Sequence, residues 1–106
     1  MSAPAPRRGD VWLASLDKVR PVVVLTRDPL GLYLHSVIVG PVTRTVRGLT
    51  TEVEVGPDDG VRVASVVNLD NLQLVGRAQL QRPVGRVRPE TMGSICRAAS
   101  IAVGCS

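Results

Sequence analysis

The chain has 106 residues, enough for a single domain with a modest core and small enough that self-association would help it. Hydrophobic residues make up 44% of it and aromatics only 2%, so the core must come from Val, Leu, Ile and Ala, and an aromatic platform for stacking bases is excluded. Thirteen Lys+Arg, twelve of them arginine, stand against nine Asp+Glu; this balance suits a nucleic-acid partner, the plainer reading being a solvated basic surface.

In chain order, Met1 to Arg8 carries Pro and Arg but no apolar h-region, which speaks against a secretory signal. Residues 1–8 are expected to be a flexible lead-in, and 9–106 a single domain. No apolar run approaches the ~20 residues a membrane-crossing helix needs, so a cytoplasmic protein is expected. Apolar runs cut by Gly, Pro, Asp and Asn predict strands over 9–16, 20–27, 33–42, 50–56, 61–68 and 72–87, the last broken near Pro83. Pro29-Leu30-Gly31 and Asp58-Asp59-Gly60 mark turns between them.

The period changes at Pro89, which suits the first position of a helix, with Glu90 near the positive end of its dipole. Met92, Ile95, Cys96, Ala99, Ala102 and Val103 then form one apolar stripe, and Gly104 is a natural stop. Ile101 falls off the stripe, either as ordinary exposure or as a subunit contact. Together these elements predict a mainly β chain: a small, strongly bent β-barrel capped by a C-terminal helix. Cys96 and Cys105 lack CxxC spacing and a nearby His, so no metal site is expected. They read as idle thiols, with a disulfide between protomers through Cys105 as the alternative.

Two of the predicted strands carry a polar residue at one end. Arg20 enters Pro21-Val22-Val23-Val24-Leu25, and Thr43 leaves Val39-Gly40-Pro41-Val42. A guanidinium is a permanent cation with a fork of donors suited to phosphate, and a threonine hydroxyl both donates and accepts. If the two strands pair, both side chains could converge on one phosphodiester without a metal. The bland alternative is a solvated edge arginine and a turn-capping threonine.

Five blocks in register resemble one family: Arg8-Gly9-Asp10-Val11-Trp12-Leu13, Arg20-Pro21-Val22-Val23-Val24-Leu25, Gly40-Pro41-Val42-Thr43, Thr51-Glu52-Val53-Glu54-Val55, and Ser65-Val66-Val67-Asn68-Leu69-Asp70-Asn71-Leu72. The family is the MazF/PemK/Kid toxins of bacterial toxin–antitoxin pairs. The resemblance implies an SH3-like barrel that dimerises and a metal-independent endoribonuclease that cuts single-stranded RNA at short sequences. It also implies attack by the ribose 2′-OH, leaving 2′,3′-cyclic phosphate and 5′-OH ends. By motif, Arg20 matches the family's catalytic arginine and Thr43 its catalytic threonine.

Arg20 then stabilises the phosphorane, and Thr43 holds a phosphate oxygen or the attacking hydroxyl. The base stays open between Asp17 and water, because an arginine holds its proton at any ordinary pH and His35 is the only histidine. The resemblance makes Thr43-Arg44-Thr45-Val46-Arg47-Gly48 a loop over the RNA, with Arg44, Thr45 and Arg47 as contacts beside Lys18, the alternative being a charged hairpin in solvent. Asn71 stands where the family more often has Gln and could meet a base edge, or simply sit in a turn. One departure is the connection before Arg20, reduced to Asp17-Lys18-Val19 where the family carries a longer loop with an acidic residue.

Two partners follow from the resemblance: a second copy of the chain, and a cognate acidic antitoxin bound through a disordered tail. Two other readings compete. CcdB-like gyrase-directed toxins share the barrel but characteristically end in an aromatic and apolar tail, unlike Val103-Gly104-Cys105-Ser106. A basic RNA-binding barrel without chemistry is the third.

Overall fold

The run Val22-Val23-Val24 shows no polar alternation, so as a strand it needs cover on both faces. The structure, a computed structural model that describes residues 5–28 and 35–104, supplies that cover. All three valines are fully buried in β2 (Val19–Val24), which lies between β1 (Asp10–Ser15) and β3 (Ser36–Thr43). Then come β4 (Glu52–Val55), β5 (Ser65–Asn68), β6 (Gln73–Gly76), β7 (Leu80–Arg86) and the helix α1 (Pro89–Ala102). The strands pair antiparallel in the order β4-β5-β3-β2-β1-β7, with β6 added on β3.

β3 bends the sheet. Its first half, Ser36 to Val39, pairs with β6, and its last two residues, Val42 and Thr43, pair with β5. Gly40 stands at the change-over, where a Cβ would come within 2.8 Å of a Val67 methyl. The sheet separates two cores. Val23, Val42, Val67 and Leu69 pack with Ile95 and Ala98 of α1, while Val22, Val24, Val37 and Val39 pack with Trp12, Val75 and Leu80. Successive β2 side chains thus serve opposite cores, as the two-residue period of a strand requires.

The two ends of the sheet meet beyond β4. A 3-10 turn, Pro57–Asp59, ends in Gly60 at φ 75°, the left-handed region that glycine enters without penalty. Gly60 packs backbone to backbone against Gly85 of β7, where a Cβ would lie 2.5 Å from the Gly60 Cα. Beside this contact Asp59 is 1% exposed and accepts the backbone N–H of Arg88 at 2.9 Å, which sets a carboxylate at the start of α1.

The expected strands over 9–16, 20–27 and 50–56 are recovered as β1, β2 and β4; β1 and β4 are shortened at both ends, while β2 starts one residue early and stops at Val24. The one expected over 61–68 begins only at Ser65, because residues 61–64 lead out of the turn. The last expected strand is interrupted, but by the 3-10 turn Arg77–Gln79 and not at Pro83. Pro83 stays within β7 because β7 is an edge strand and the register against β1 slips there, so its missing N–H breaks no regular ladder. On α1 the buried residues are Thr91, Ile95 and Ala98, flanked by Met92, Ala99 and Ala102. Val103, expected on the stripe, is 61% exposed, since it lies past the last helical residue.

The turn expected at 29–31, the start of the strand expected at 33, and Cys105 fall outside the described residues. At the other end Pro6 is buried, the Arg8 N–H donates to Asp28 at 3.0 Å, and the Arg8 guanidinium reaches Cys96 Sγ. No helix among the described residues is long and apolar enough to cross a membrane.

Candidate active site

The β1–β2 hairpin closes on Ser15 opposite Val19, leaving Leu16, Asp17 and Lys18 as its loop, with the Leu16 N–H bonded to the Lys18 carbonyl at 3.1 Å. So short a loop puts Asp17 three residues before Arg20, within reach of its fork. Arg20 Nε donates to Asp17 Oδ1 at 3.2 Å, and Nη2 donates to Oδ2 at 3.2 Å. The Asp17 side chain is 71% exposed and that of Arg20 30%, so solvent screens the pair from the carboxylate side. The hydrogen bond from Arg20 holds the Asp17 carboxyl below its ordinary value.

The β2–β3 register sets Val22 opposite Pro41; carried two residues further, it sets Arg20 opposite Thr43. Both line one groove of about 750 Å³, together with Lys18, Arg44 and Thr45. Leu13, Pro21 and Val42 contribute apolar surface between the cations. The Thr43 hydroxyl accepts the Thr45 N–H at 3.1 Å, which orients the oxygen and leaves its own O–H free to donate. Of the anticipated contacts, therefore, Lys18, Arg20, Thr43, Arg44 and Thr45 come together.

Arg47 and Asn71 do not line this groove. The Glu52 carboxylate accepts the backbone N–H of Arg47 at 3.0 and 3.2 Å and that of Leu49 at 3.1 Å, folding the loop back towards β4. Asn71 is the exposed last residue of a 3-10 turn, Leu69–Asn71, whose Leu69 is buried and whose capping residue Asn68 accepts the Asp70 N–H at 3.0 Å. His35 is exposed and stands outside the groove lining.

Two groove residues were missed from sequence: Arg62, on the connection leading to β5, and Arg82, on β7. Nothing in their local sequence marks them among twelve arginines, since each arrives through a distant part of the chain. With them the groove carries five cationic side chains, and none of the described residues lining it is acidic. A second groove of about 610 Å³, between β4 and α1, instead sets Glu52, Glu54 and Glu90 against Arg88 and Arg97, a mixed lining less suited to a polyanion. Among the described residues no three His, Cys, Asp or Glu side chains gather into a metal-binding group.

Comparison with known proteins identifies the family. The sequence model of the PemK-like, MazF-like toxins of type II toxin–antitoxin systems matches residues 7–103. A probable endoribonuclease of Mycobacterium tuberculosis, MazF5, is 41% identical over 104 residues, covering 95% of each chain. Among solved structures, the Mycobacterium tuberculosis toxin MazF-mt6 superposes with a TM-score of 0.87 at 37% identity, over 92% of this chain and 98% of that one. A mycobacterial endoribonuclease solved in complex with its cognate antitoxin gives 0.89 at 30% identity, over 96% and 98%. With a match over nearly its whole length, and a cationic groove in which its motif arginine and threonine meet, the chain belongs to the MazF/PemK family and is an endoribonuclease toxin of a type II toxin–antitoxin system.

Proposed function

We propose that this toxin cleaves single-stranded RNA in the Arg20–Thr43 groove, without a metal, by attack of a ribose 2′-OH on the adjacent phosphorus. The observation that carries this reading is the meeting of Arg20 and Thr43 in one groove whose described lining residues include five cations and no Asp or Glu, the Asp17 carboxylate being held on Arg20. The 2′-oxygen bonds to phosphorus, the P–O5′ bond breaks, and the products end in 2′,3′-cyclic phosphate and 5′-OH. Arg20 neutralises the charge that grows on the phosphorane oxygens, and the Thr43 O–H donates to one of them.

Asp17 is a weak candidate for the base. Both of its oxygens are held by Arg20, and its lowered proton affinity opposes taking up the 2′-OH proton. We assign Asp17 to holding the Arg20 fork until phosphate displaces it, and the proton to water, which also reprotonates the 5′-oxygen. Base selection rests on Thr45, backbone groups and arginine, because the chain has too few aromatics for stacking.

Incubating the purified protein with a long single-stranded RNA in EDTA, followed by end-group analysis, tests the reading. Discrete fragments with cyclic-phosphate and 5′-OH ends are expected, and none with Arg20→Ala or Thr43→Ala. Intact RNA across diverse substrates with the wild-type protein, or cutting at the wild-type level by either variant, would overturn it.

The same reading makes the protein cytoplasmic and gives it two protein partners. A cognate antitoxin with an acidic, disordered tail would cover the cationic groove, a reading supported by the mycobacterial relative solved with its antitoxin. Arg44→Glu is then expected to weaken RNA and antitoxin together, and unchanged affinity for both would count against a shared groove. A second copy would cover apolar surface such as Ile38 and Leu74, paired across β3 and β6 and 44% and 71% exposed. Leu74→Arg should lower the sedimentation coefficient towards that of a monomer; an unchanged value would remove that surface from the interface.

A further inference from the structure

We propose that Arg62 and Arg82 bind RNA phosphates flanking the one held by Arg20, so that the groove takes an oligonucleotide backbone and not an isolated phosphodiester. This rests on the cleavage site assigned above. Arg82 lies opposite Leu13, Leu13 lies opposite Pro21, and the β2–β3 register continued by one residue sets Pro21 opposite Val42. All four line the groove, so one row crosses β7, β1, β2 and β3. Three interstrand steps make that row about 14 Å long. Arg20 and Thr43 flank it at the β2–β3 end; Arg82 stands at the β7 end.

Arg62 joins the same wall by a different route. It follows Gly60, whose backbone packs against Gly85 of β7, and Asp59, which is held by Arg88. The connection bearing Arg62 is therefore pinned to the strand bearing Arg82. Among the described residues neither arginine has an acidic partner, whereas Arg20, Arg86 and Arg88 each hold an aspartate. Two guanidinium groups without an acidic partner among the described residues, on pinned backbone and lining a groove whose described lining holds no Asp or Glu, are arranged for an anion that arrives from solution.

The test is binding of a short fluorescein-labelled 2′-O-methyl RNA, which lacks the attacking hydroxyl, followed by anisotropy across a salt series. Arg62→Gln and Arg82→Gln should each reduce the slope of log K against log salt by about 0.7, the value for one phosphate contact on a single strand. On cleavable RNA each should raise KM by about tenfold, the equivalent of one charge-assisted hydrogen bond, with kcat retained. Arg62→Lys and Arg82→Lys should recover the salt slope. Arg97→Gln, on the exposed face of α1, should leave both slope and KM unchanged.

Wild-type slope and KM in both Gln variants, with cleavage intact, would overturn the assignment. So would an equal loss of slope in Arg97→Gln, which would reduce the effect to net charge. A wild-type protein that neither binds nor cuts would instead sink the cleavage site itself.

Discussion

Arg20 and Arg88 grip their aspartates with the same fork. Nε and Nη2 reach the two carboxylate oxygens at 3.2 and 3.2 Å in one pair, and at 3.2 and 3.3 Å in the other. Only the surroundings differ. The Asp17 side chain is 71% exposed at a hairpin tip, whereas that of Asp59 is 2% exposed beneath the start of α1. Asp17 is held by Arg20 and the groove lies open beside it, the place where the proposed mechanism puts an RNA phosphate on the guanidinium. Asp59 also accepts a backbone N–H and faces the Thr91 hydroxyl, so its arginine is not available for exchange. Burial of the carboxylate, and not the geometry of the fork, separates the arginine proposed to take substrate from one committed to the fold.

The strongest way to break this contrast is Arg20→Ala. Cleavage should fall by about 10²–10³-fold or more, as for loss of one preorganised donor, while the urea midpoint stays at the wild-type value. Arg20→Lys should recover little, because an ammonium cannot reproduce the bidentate contact. A parallel loss of stability and activity would make Arg20 structural and erase the distinction.

Asp59→Ala should do the opposite. Losing a buried acceptor of charged and backbone donors is expected to lower stability by about 2–3 kcal/mol in urea titration, with cleavage per folded molecule retained. An unchanged midpoint would show that the pair contributes nothing to the fold.

The acid limb sharpens the same comparison. Burial pushes the Asp59 carboxyl up, but the Arg88 side chain and backbone N–H and the Thr91 hydroxyl outweigh it, holding the group below its ordinary value. Its stabilisation is thus fully present above the unfolded pKa of about 4 and is lost as pH falls through the lower folded value. Wild type and Asp59→Ala should differ most near neutral pH and converge in acid. A constant gap down to strongly acid pH would refute the linkage.

The smallest expected effect belongs to Asp17→Asn. Stability should not change, and KM should fall a few-fold, because phosphate no longer competes with a carboxylate for Arg20. A loss of about 10²-fold or more in kcat would identify Asp17 as the base and reverse its assigned role.

Much of the site was legible in the residues. The Arg20 and Thr43 blocks each end a buried run, and antiparallel pairing of those runs brings their ends to one place. Lys18, Arg44 and Thr45 follow because each is a near neighbour of one of them. Arg47 and Asn71 were expected on the same footing, yet Glu52 folds the loop after Thr45 and Asn71 ends a separate turn. Asp59 was legible only as a turn residue, because its burial depends on Arg88, 29 positions further along. Arg62 and Arg82 were not legible at all.

By itself, the sequence determined what is local: the β-branched runs, the turn at Asp58-Asp59-Gly60, the helix start at Pro89, and an arginine and a threonine at two strand ends. Tertiary structure decided which of twelve arginines face the groove, which aspartate is buried, and where the last strand breaks. The reason lies in the sheet. Alternation within one strand fixes which residues share a face, but the neighbours they meet there depend on registers between segments far apart in the chain.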